Sequence, residues 1–430
     1  MRRLITLSEL RSAWDKLNKR NPHSFGVDGV SIAAFKFNIE SHLRKIVQQL
    51  SEGSYQFQGS RGVLIDKSDG GKRPLKIATV RDRVVAKALA LQLEPKLQKF
   101  DQPCSFGYRK KMSTRDAVEA IHKLADSGAK WVLEADIKKF FDRVDRKALL
   151  QKLARIVRSP QRLSLIGRAL TSEIENRRDI DPDLLQIFPS ASSGIPQGNT
   201  LSPLLANFYL YTFDRAMLKK GYGLIRYADD FVVMCRSKEE AEQACLYAQA
   251  FLKEKLGLEM HELSFSGKTQ IRRYSDGFQF VGFFIRDRKQ MPPEKAKTKF
   301  KERIKEILRS NQAETLVRKV QRLNNISKGW HEAFKTAELD DFPRQADELL
   351  INELSLFLKE KKIFRNGDAI SFQQIRFIGV RTLGDRVRDG NRTVAQRNSQ
   401  RKGRGPRTKP ANPVAPPAGR SSNTKSREEF

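Results

Sequence analysis

Cysteine is almost missing from these 430 residues: there are three, Cys104, Cys235 and Cys245. Their spacing makes neither a disulfide framework nor a zinc pattern, so they read as reduced core residues of a cytoplasmic protein. Histidine is nearly as scarce, with His23, His42, His122, His261 and His331 scattered along the chain. That leaves no nuclease signature of paired histidines or of a Cys-x-x-Cys pair. Long apolar runs are absent, which excludes a spanning helix, and the basic residues are spread along the whole chain, so an anionic membrane surface is a less favoured partner than nucleic acid and no membrane is expected. The opening MRRLITLSEL has too few apolar residues for a secretory signal. Acidic side chains are also in short supply. Against 82 Lys and Arg stand 50 Asp and Glu, a formal charge of +32. Solubility needs far less, and the excess points to a polyanionic partner, nucleic acid first.

What is present organises into several regions. The length of 430 residues is enough for two or three domains, and with 39% hydrophobic residues most of the chain should fold. Thr6 and Glu9 have capping-box spacing ahead of Leu10, Trp14 and Leu17, which predicts an opening helix. A Gly/Asp turn at Gly26–Gly29 precedes a helical stretch through Phe37–Leu50. Residues 55–80 read as strands broken by the turn Ser68-Asp69-Gly70-Gly71, and 81–100 return to helical period. An apolar strand follows at 131–136, then helices around 146–171 and a polar insertion at 173–190. A Gly/Pro loop at 194–198 leads into a helix through Leu201–Leu218. Runs 223–228 and 231–235 flank Asp229-Asp230 as a hairpin with the acids at its turn. From about 292 the period is helical only, with apolar stripes such as Val317, Val320, Leu323 and Ile326 opposite basic faces, as in a small bundle. Beyond about 385 the sequence is polar, cationic and expected to be disordered. The resulting divisions are 1–130, 131–290 with an insertion near 150–190, 291–365 and 366–430.

Three acids carry the chemistry. Asp136 ends the run Trp131-Val132-Leu133-Glu134-Ala135, and Asp229 and Asp230 sit between two strand-like runs. An acid at the end of an apolar strand is costly unless its charge is compensated. Divalent cations do this, and phosphoryl transfer to a 3′-hydroxyl uses two of them about 4 Å apart. Taken singly, an Asp-Asp pair is ordinarily a solvated turn, and Asp136 has an alternative as the N-cap of a helix opening near Lys138–Asp142.

The surroundings make the acids specific. Arg226-Tyr227-Ala228-Asp229-Asp230-Phe231 resembles the catalytic hairpin of reverse transcriptases. Glu134-Ala135-Asp136-Ile137-Lys138-Lys139-Phe140-Phe141-Asp142 resembles their first catalytic strand. Gly194-Ile195-Pro196-Gln197-Gly198, followed by Leu201-Ser202-Pro203-Leu204-Leu205-Ala206-Asn207, is similar to their template-and-nucleotide loop. The order and distances are the family's, over about residues 25–335, and the subfamily resembled is that of bacterial group II introns and their retron and defence-associated relatives.

The resemblance implies an α+β right-hand polymerase: fingers and an antiparallel palm sheet, an α-helical thumb and a disordered basic tail. It implies RNA-directed DNA synthesis with two Mg²⁺, Mn²⁺ being a substitute, held by Asp136, Ile137, Asp229 and Asp230. The partners implied are an RNA template, structured and non-coding, a DNA product and deoxynucleoside triphosphates. Lys67 and Arg73 correspond to a finger clamp on the triphosphate, Phe141 to the ring under the sugar, and Gln197 to a contact with template and nucleotide. Tyr227 is expected near the primer end. Lys268, with Thr269, matches the lysine-bearing segment after the hairpin, and Phe278–Phe284 the strands that grip the primer. Leu323-Asn324-Asn325-Ile326 and Gly329-Trp330 are the residues most similar to the thumb.

The sequence departs from full-length intron proteins in showing no DNA-binding segment or endonuclease after the thumb. The expectation is therefore a free-standing enzyme on a dedicated RNA, phage defence being one setting. Two alternatives stay open on residues alone: an intron maturase that binds and folds RNA, and a polymerase with another template or product.

Overall fold

The computed structural model describes residues 4–66, 71–171, 173–188, 193–265, 267–310, 314–361 and 371–391. The chain divides into two compact units, one of residues 1–296 with 336–338 and one of 297–335 with the residues from 339 onward. Each has its own apolar core.

In the first unit the opening helix Leu7–Asp15 is closed by the expected capping box, Thr6 accepting from the Glu9 backbone and Glu9 accepting from that of Thr6. The helix expected through Phe37–Leu50 is Ile39–Glu52, and a shorter helix, Ile32–Phe37, precedes it across Asn38. Helix Val80–Leu97, started by the Thr79 side chain on the Asp82 amide, buries residues around most of its circumference because it runs through the middle of the core. Ahead of it, β1 (Arg61–Asp66) and β2 (Lys72–Ile77) pair antiparallel, with Ile65 opposite Arg73.

The central sheet has β3 (Trp131–Asp136) between β5 (Asp230–Cys235) and β6 (Gln270–Arg273), with β4 (Gly223–Tyr227) outside β5, all antiparallel. Period-two alternation sends Leu133, Ala135, Phe231 and Val233 into the first core. The residues between them face the other way: Glu134 lies opposite Val232 and Asp136 opposite Asp230. Helices Ser202–Lys219 and Lys238–Leu256 support the core face. Beyond β6, β7 (Phe278–Phe280), β8 (Phe283–Arg286) and β9 (Lys289–Met291) form a separate three-stranded meander. The insertion docks on β1 through the Ser60–Ile174 bridge, and Asn176 exchanges hydrogen bonds with the Gly62 backbone.

The second unit is helical. Helices Glu294–Arg309, Leu316–Phe334 and Phe342–Glu360 meet over Phe300, Ile304, Leu323, Trp330 and Leu354. Val317, assigned to an apolar stripe by its spacing, is 66% exposed. The buried face of its helix runs instead through Lys319, Val320, Leu323, Ser327 and Trp330. The bundle reaches further along the chain than expected, taking in Ile375, Val380 and Leu383. Residues 383–391, which run across the expected start of the polar tail at about 385, are helical. The remainder of that expected tail, 392–430, lies outside the described residues.

Candidate active site

The acids are brought together by strand register. Asp136 and Asp230 are direct partners across β3 and β5, which puts their Cβ atoms about 5 Å apart on one face. Asp230 is the first residue of β5 rather than part of the turn; the turn proper is Ala228-Asp229, closing on the Tyr227–Asp230 pair. Ala228 takes φ +62°, an uncommon state for a residue with a Cβ, as a two-residue hairpin loop requires. The alternative role for Asp136 does not hold: the next helix, Phe140–Arg143, is entered through Lys139 at φ +47°, not capped by Asp136.

Ile137 continues β3 as an isolated bridge to Met260, flanked by hydrogen bonds from the Lys138 amide to the Glu259 carbonyl and from the His261 amide to the Asp136 carbonyl. This makes Ile137 and Met260 a non-hydrogen-bonded pair, so the Ile137 carbonyl points away from Met260, toward the side of the hairpin.

The electrostatics are those of crowded carboxylates. Burial first, then the charges of Asp136 and Asp229, push the Asp230 carboxyl up to about 7, although its side chain opens onto the cavity; Lys268 works the other way. Burial and Asp136 also raise Asp229, against Arg73 and Arg226. Glu134, two residues before Asp136, is pushed up to about 7 by burial, with Arg272 opposing. Lys268 Nζ lies 3.1 Å from Asp136 Oδ2 and His261 Nε2 lies 3.7 Å from the same oxygen. Among the described residues, no three His, Cys, Asp or Glu side chains converge as they stand on one ion-sized point. The donor set nevertheless suits hard divalent ions: carboxylate oxygens with excess negative charge, close together and partly withdrawn from water.

These acids open onto a cavity of about 1120 Å³. Arg73, Phe141, Gln197 and Lys268 all line it, as do Ile137 and the three aspartates. Lys67 lies outside the described residues. Tyr227, at the end of β4, is not among the lining residues; Tyr108 is, and burial followed by the Asp229 and Tyr227 charges raises its phenol. Phe140 and Phe141 both border the cavity and pack edge-on at 5.3 Å; Phe140 is buried in the core, whereas Phe141 is only partly buried against it. The Gln197 loop is fastened to β2: the Lys76 amide donates to the Gln197 carbonyl at 3.1 Å, and a Cβ on Gly198, at φ +103°, would meet the Lys76 carbonyl at 2.7 Å.

His261, Tyr108 and Glu134 had no assignment from sequence. For Glu134 the signal was available, since it shares a strand face with Asp136. His261 and Tyr108 reach the cavity through loops, which have no periodicity to read.

The chain matches the family described as reverse transcriptase (RNA-dependent DNA polymerase) over residues 65–285. Protein YkfC of Escherichia coli (strain K12) is 29% identical over 320 residues, 65% of this chain and 81% of that protein. The group II intron-encoded protein LtrA of Lactococcus lactis subsp. cremoris is 27% identical over 316 residues, 58% of this chain but only half of LtrA. Among solved structures, a chain of a partial Cas6-RT-Cas1–Cas2 complex is 27% identical, with a TM-score of 0.36 over 59% of this chain and 42% of that one. Telomerase from Candida albicans, in complex with a fragment of telomeric RNA, is 12% identical, with a TM-score of 0.42 over 76% of this chain and 64% of that one. Matched over more than half its length, with the antiparallel sheet and acid register described above, the chain belongs to the reverse transcriptase family of RNA-directed DNA polymerases and has the α+β right-hand polymerase fold.

Proposed function

We propose that this chain copies an RNA template into DNA, with Asp136, Asp229, Asp230 and the Ile137 carbonyl holding two Mg²⁺ ions. The observation that carries the reading is the Asp136–Asp230 register beside the Ala228-Asp229 turn, at the wall of a cavity large enough for a nucleotide and a base pair. When bound, such ions lower the pKa of the primer 3′-hydroxyl and neutralise the triphosphate. The protein's own groups do the rest. Arg73, and with it Lys67, offsets charge on the triphosphate as it develops in the transition state. Phe141 lies under the sugar and leaves no room for a 2′-hydroxyl, while Gln197 meets the template base and the incoming nucleotide. Lys268 moves from Asp136 to the phosphates as substrate enters. Residues 1–130 with the β1–β2 hairpin serve as fingers, 131–290 as palm and 291–365 as thumb.

The substrate RNA is a dedicated structured molecule, free-standing use being the expected setting. A second reading is favoured by the similarity to an intron-encoded protein together with the basic faces of helix Glu294–Arg309: an RNA-binding splicing cofactor. Primer extension on a defined RNA template separates the two. Deoxynucleotide incorporation abolished in Asp229→Ala/Asp230→Ala supports the polymerase; absence of incorporation by the wild type refutes it. Splicing of a co-purified RNA that survives the same substitutions supports the cofactor. Sequencing the nucleic acid that co-purifies identifies the template and distinguishes an intron from a phage-responsive RNA.

A further inference from the structure

Among the described residues the largest fully buried side chain is an arginine, and the chemistry proposed above does not use it. Arg226 lies in β4 immediately before Tyr227 and is 0% exposed. Alternation turns it to the face opposite Asp136 and Asp230, against helix Ser202–Lys219. There its Nε and Nη2 donate to the two carboxylate oxygens of Asp214, each at 2.6 Å. Nη1 donates to Asn207 Oδ1 at 3.1 Å and to the Ala228 carbonyl at 2.7 Å, and Nη2 to Ser105 Oγ at 2.9 Å. The backbone joins in: the Arg226 amide donates to the Cys104 carbonyl at 2.7 Å and its carbonyl accepts from the Phe106 amide at 2.9 Å.

An internal ion pair of this kind is weak evidence for stability, since a well-packed apolar pair of similar volume commonly serves as well or better. What an apolar pair lacks is a donor for the Ala228 carbonyl. Ala228 is held at φ +62°, a sparsely populated state that persists only where its surroundings impose it. The guanidinium grips that residue from below. From the side, Gly107 packs so close that a Cβ there would stand 2.4 Å from the Ala228 amide nitrogen. The next residue is Asp229.

We infer that Arg226, locked by Asp214, is a positioning residue. Through the Ala228 carbonyl it holds the hairpin turn in the strained conformation that aims Asp229 at the ion site beside Asp136 and Asp230. It touches neither substrate nor ion. The inference rests on the polymerase reading, because the aim of Asp229 matters only if Asp229 is a ligand.

The test replaces both charges together, Arg226→Met/Asp214→Leu, so that no lone buried charge remains. Mn²⁺ binding is followed by electron paramagnetic resonance, and primer extension and thermal melting are measured alongside. The expected result is a melting temperature within a few degrees of wild type, with Mn²⁺ affinity lower by about tenfold or more. In extension, kcat falls by about thirtyfold or more while KM for the deoxynucleotide stays within about threefold. A folded double variant whose Mn²⁺ affinity and kcat both lie within about threefold of wild type overturns the inference. Should the double variant fail to fold, Arg226→Lys keeps the charge, but its single ammonium cannot span Asp214 and Ala228 as the planar fork does. The same losses are expected there, and wild-type values overturn the inference equally. A wild type that binds Mn²⁺ through Asp229 yet extends no primer refutes the polymerase reading, and the Mn²⁺ comparison then decides the positioning role by itself.

Discussion

Lys268 Nζ stands 3.1 Å from Asp136 Oδ2, on the carboxylate oxygen that His261 also approaches from 3.7 Å. A lysine thus supplies positive charge beside the neighbouring aspartates. It competes with an ion for the same oxygen, at a separation where two charges interact by a few kcal/mol at an effective dielectric constant of about 20. Lys268→Met is expected to raise the affinity of the nucleotide-free protein for Mn²⁺, by about three- to tenfold after solvent screening of this exposed side chain. Primer extension by the same variant should fall, because the triphosphate loses a partner. Electron paramagnetic resonance titration checks the first effect, and an affinity equal to or below wild type would contradict it.

The acids also set a pH dependence. Asp230 is raised from its ordinary 3.8 to about 7, and Glu134 is raised likewise to about 7. The folded protein therefore retains protons that the unfolded chain has already released. Stability in EDTA is expected to fall as pH rises from about 4 to about 7, the sign given by proton linkage. A divalent ion binds the deprotonated form, so Mg²⁺ should raise the melting temperature more at about pH 8 than at about pH 5. Asp230→Asn should shrink both effects. A Mg²⁺ shift independent of pH would show that the ion binds elsewhere.

Phe140 and Phe141 both border the cavity, but Phe140 is fully buried in the core while Phe141 is only partly buried. Phe141→Ala is expected to raise ribonucleotide use relative to deoxynucleotide use by about tenfold or more, read as the ratio of kcat/KM for the two sugars. Unchanged rejection of ribonucleotides would remove the sugar-filter assignment. Phe140→Ala should instead lower thermal stability, by the loss of a buried aromatic side chain worth about 3–5 kcal/mol.

Gly107 lies against the hairpin turn, with no space for a Cβ beside the Ala228 amide. Gly107→Ala should displace the turn by a fraction of an ångström, and misplacement on the order of 1 Å can cost about a hundredfold in rate. Stopped-flow single-turnover extension reads this directly. Wild-type rates in a soluble, folded variant would mean that the segment yields without consequence for Asp229.

The net charge of +32 predicts binding to a primer–template duplex that weakens steeply with salt. Fluorescence anisotropy from 50 to 200 mM salt should show a loss of about 10³ in affinity if some six phosphates are contacted. A flat salt profile would remove the phosphate-gripping role of the basic helical faces.

Much of the site was legible in the order of residues. The acid that ends β3, the Asp229-Asp230 pair and the Gly/Pro loop at Gln197 are short local signals, because alternation and turn chemistry act over a few residues. The hairpin was off by one residue: Asp230 belongs to β5, since register extends the ladder until it meets the Ala228-Asp229 turn. The burial of Lys319 in place of Val317 escaped pattern reading because packing partners chose the buried face. His261 and Tyr108 were invisible for a related reason, reaching the cavity from loops far along the chain.

The sequence alone determined the chemical class of this protein. Its charge, its three acids in strand and turn contexts, and the residues around them needed no coordinates. Only the tertiary structure decided which atoms meet. That Asp136 pairs with Asp230, that Lys268 and His261 share one oxygen of Asp136, and that Arg226 reaches Ser105 are consequences of register between segments about ninety or more residues apart. Register is fixed by how many side chains a whole sheet can bury at once, a quantity distributed over the core and written at no single position.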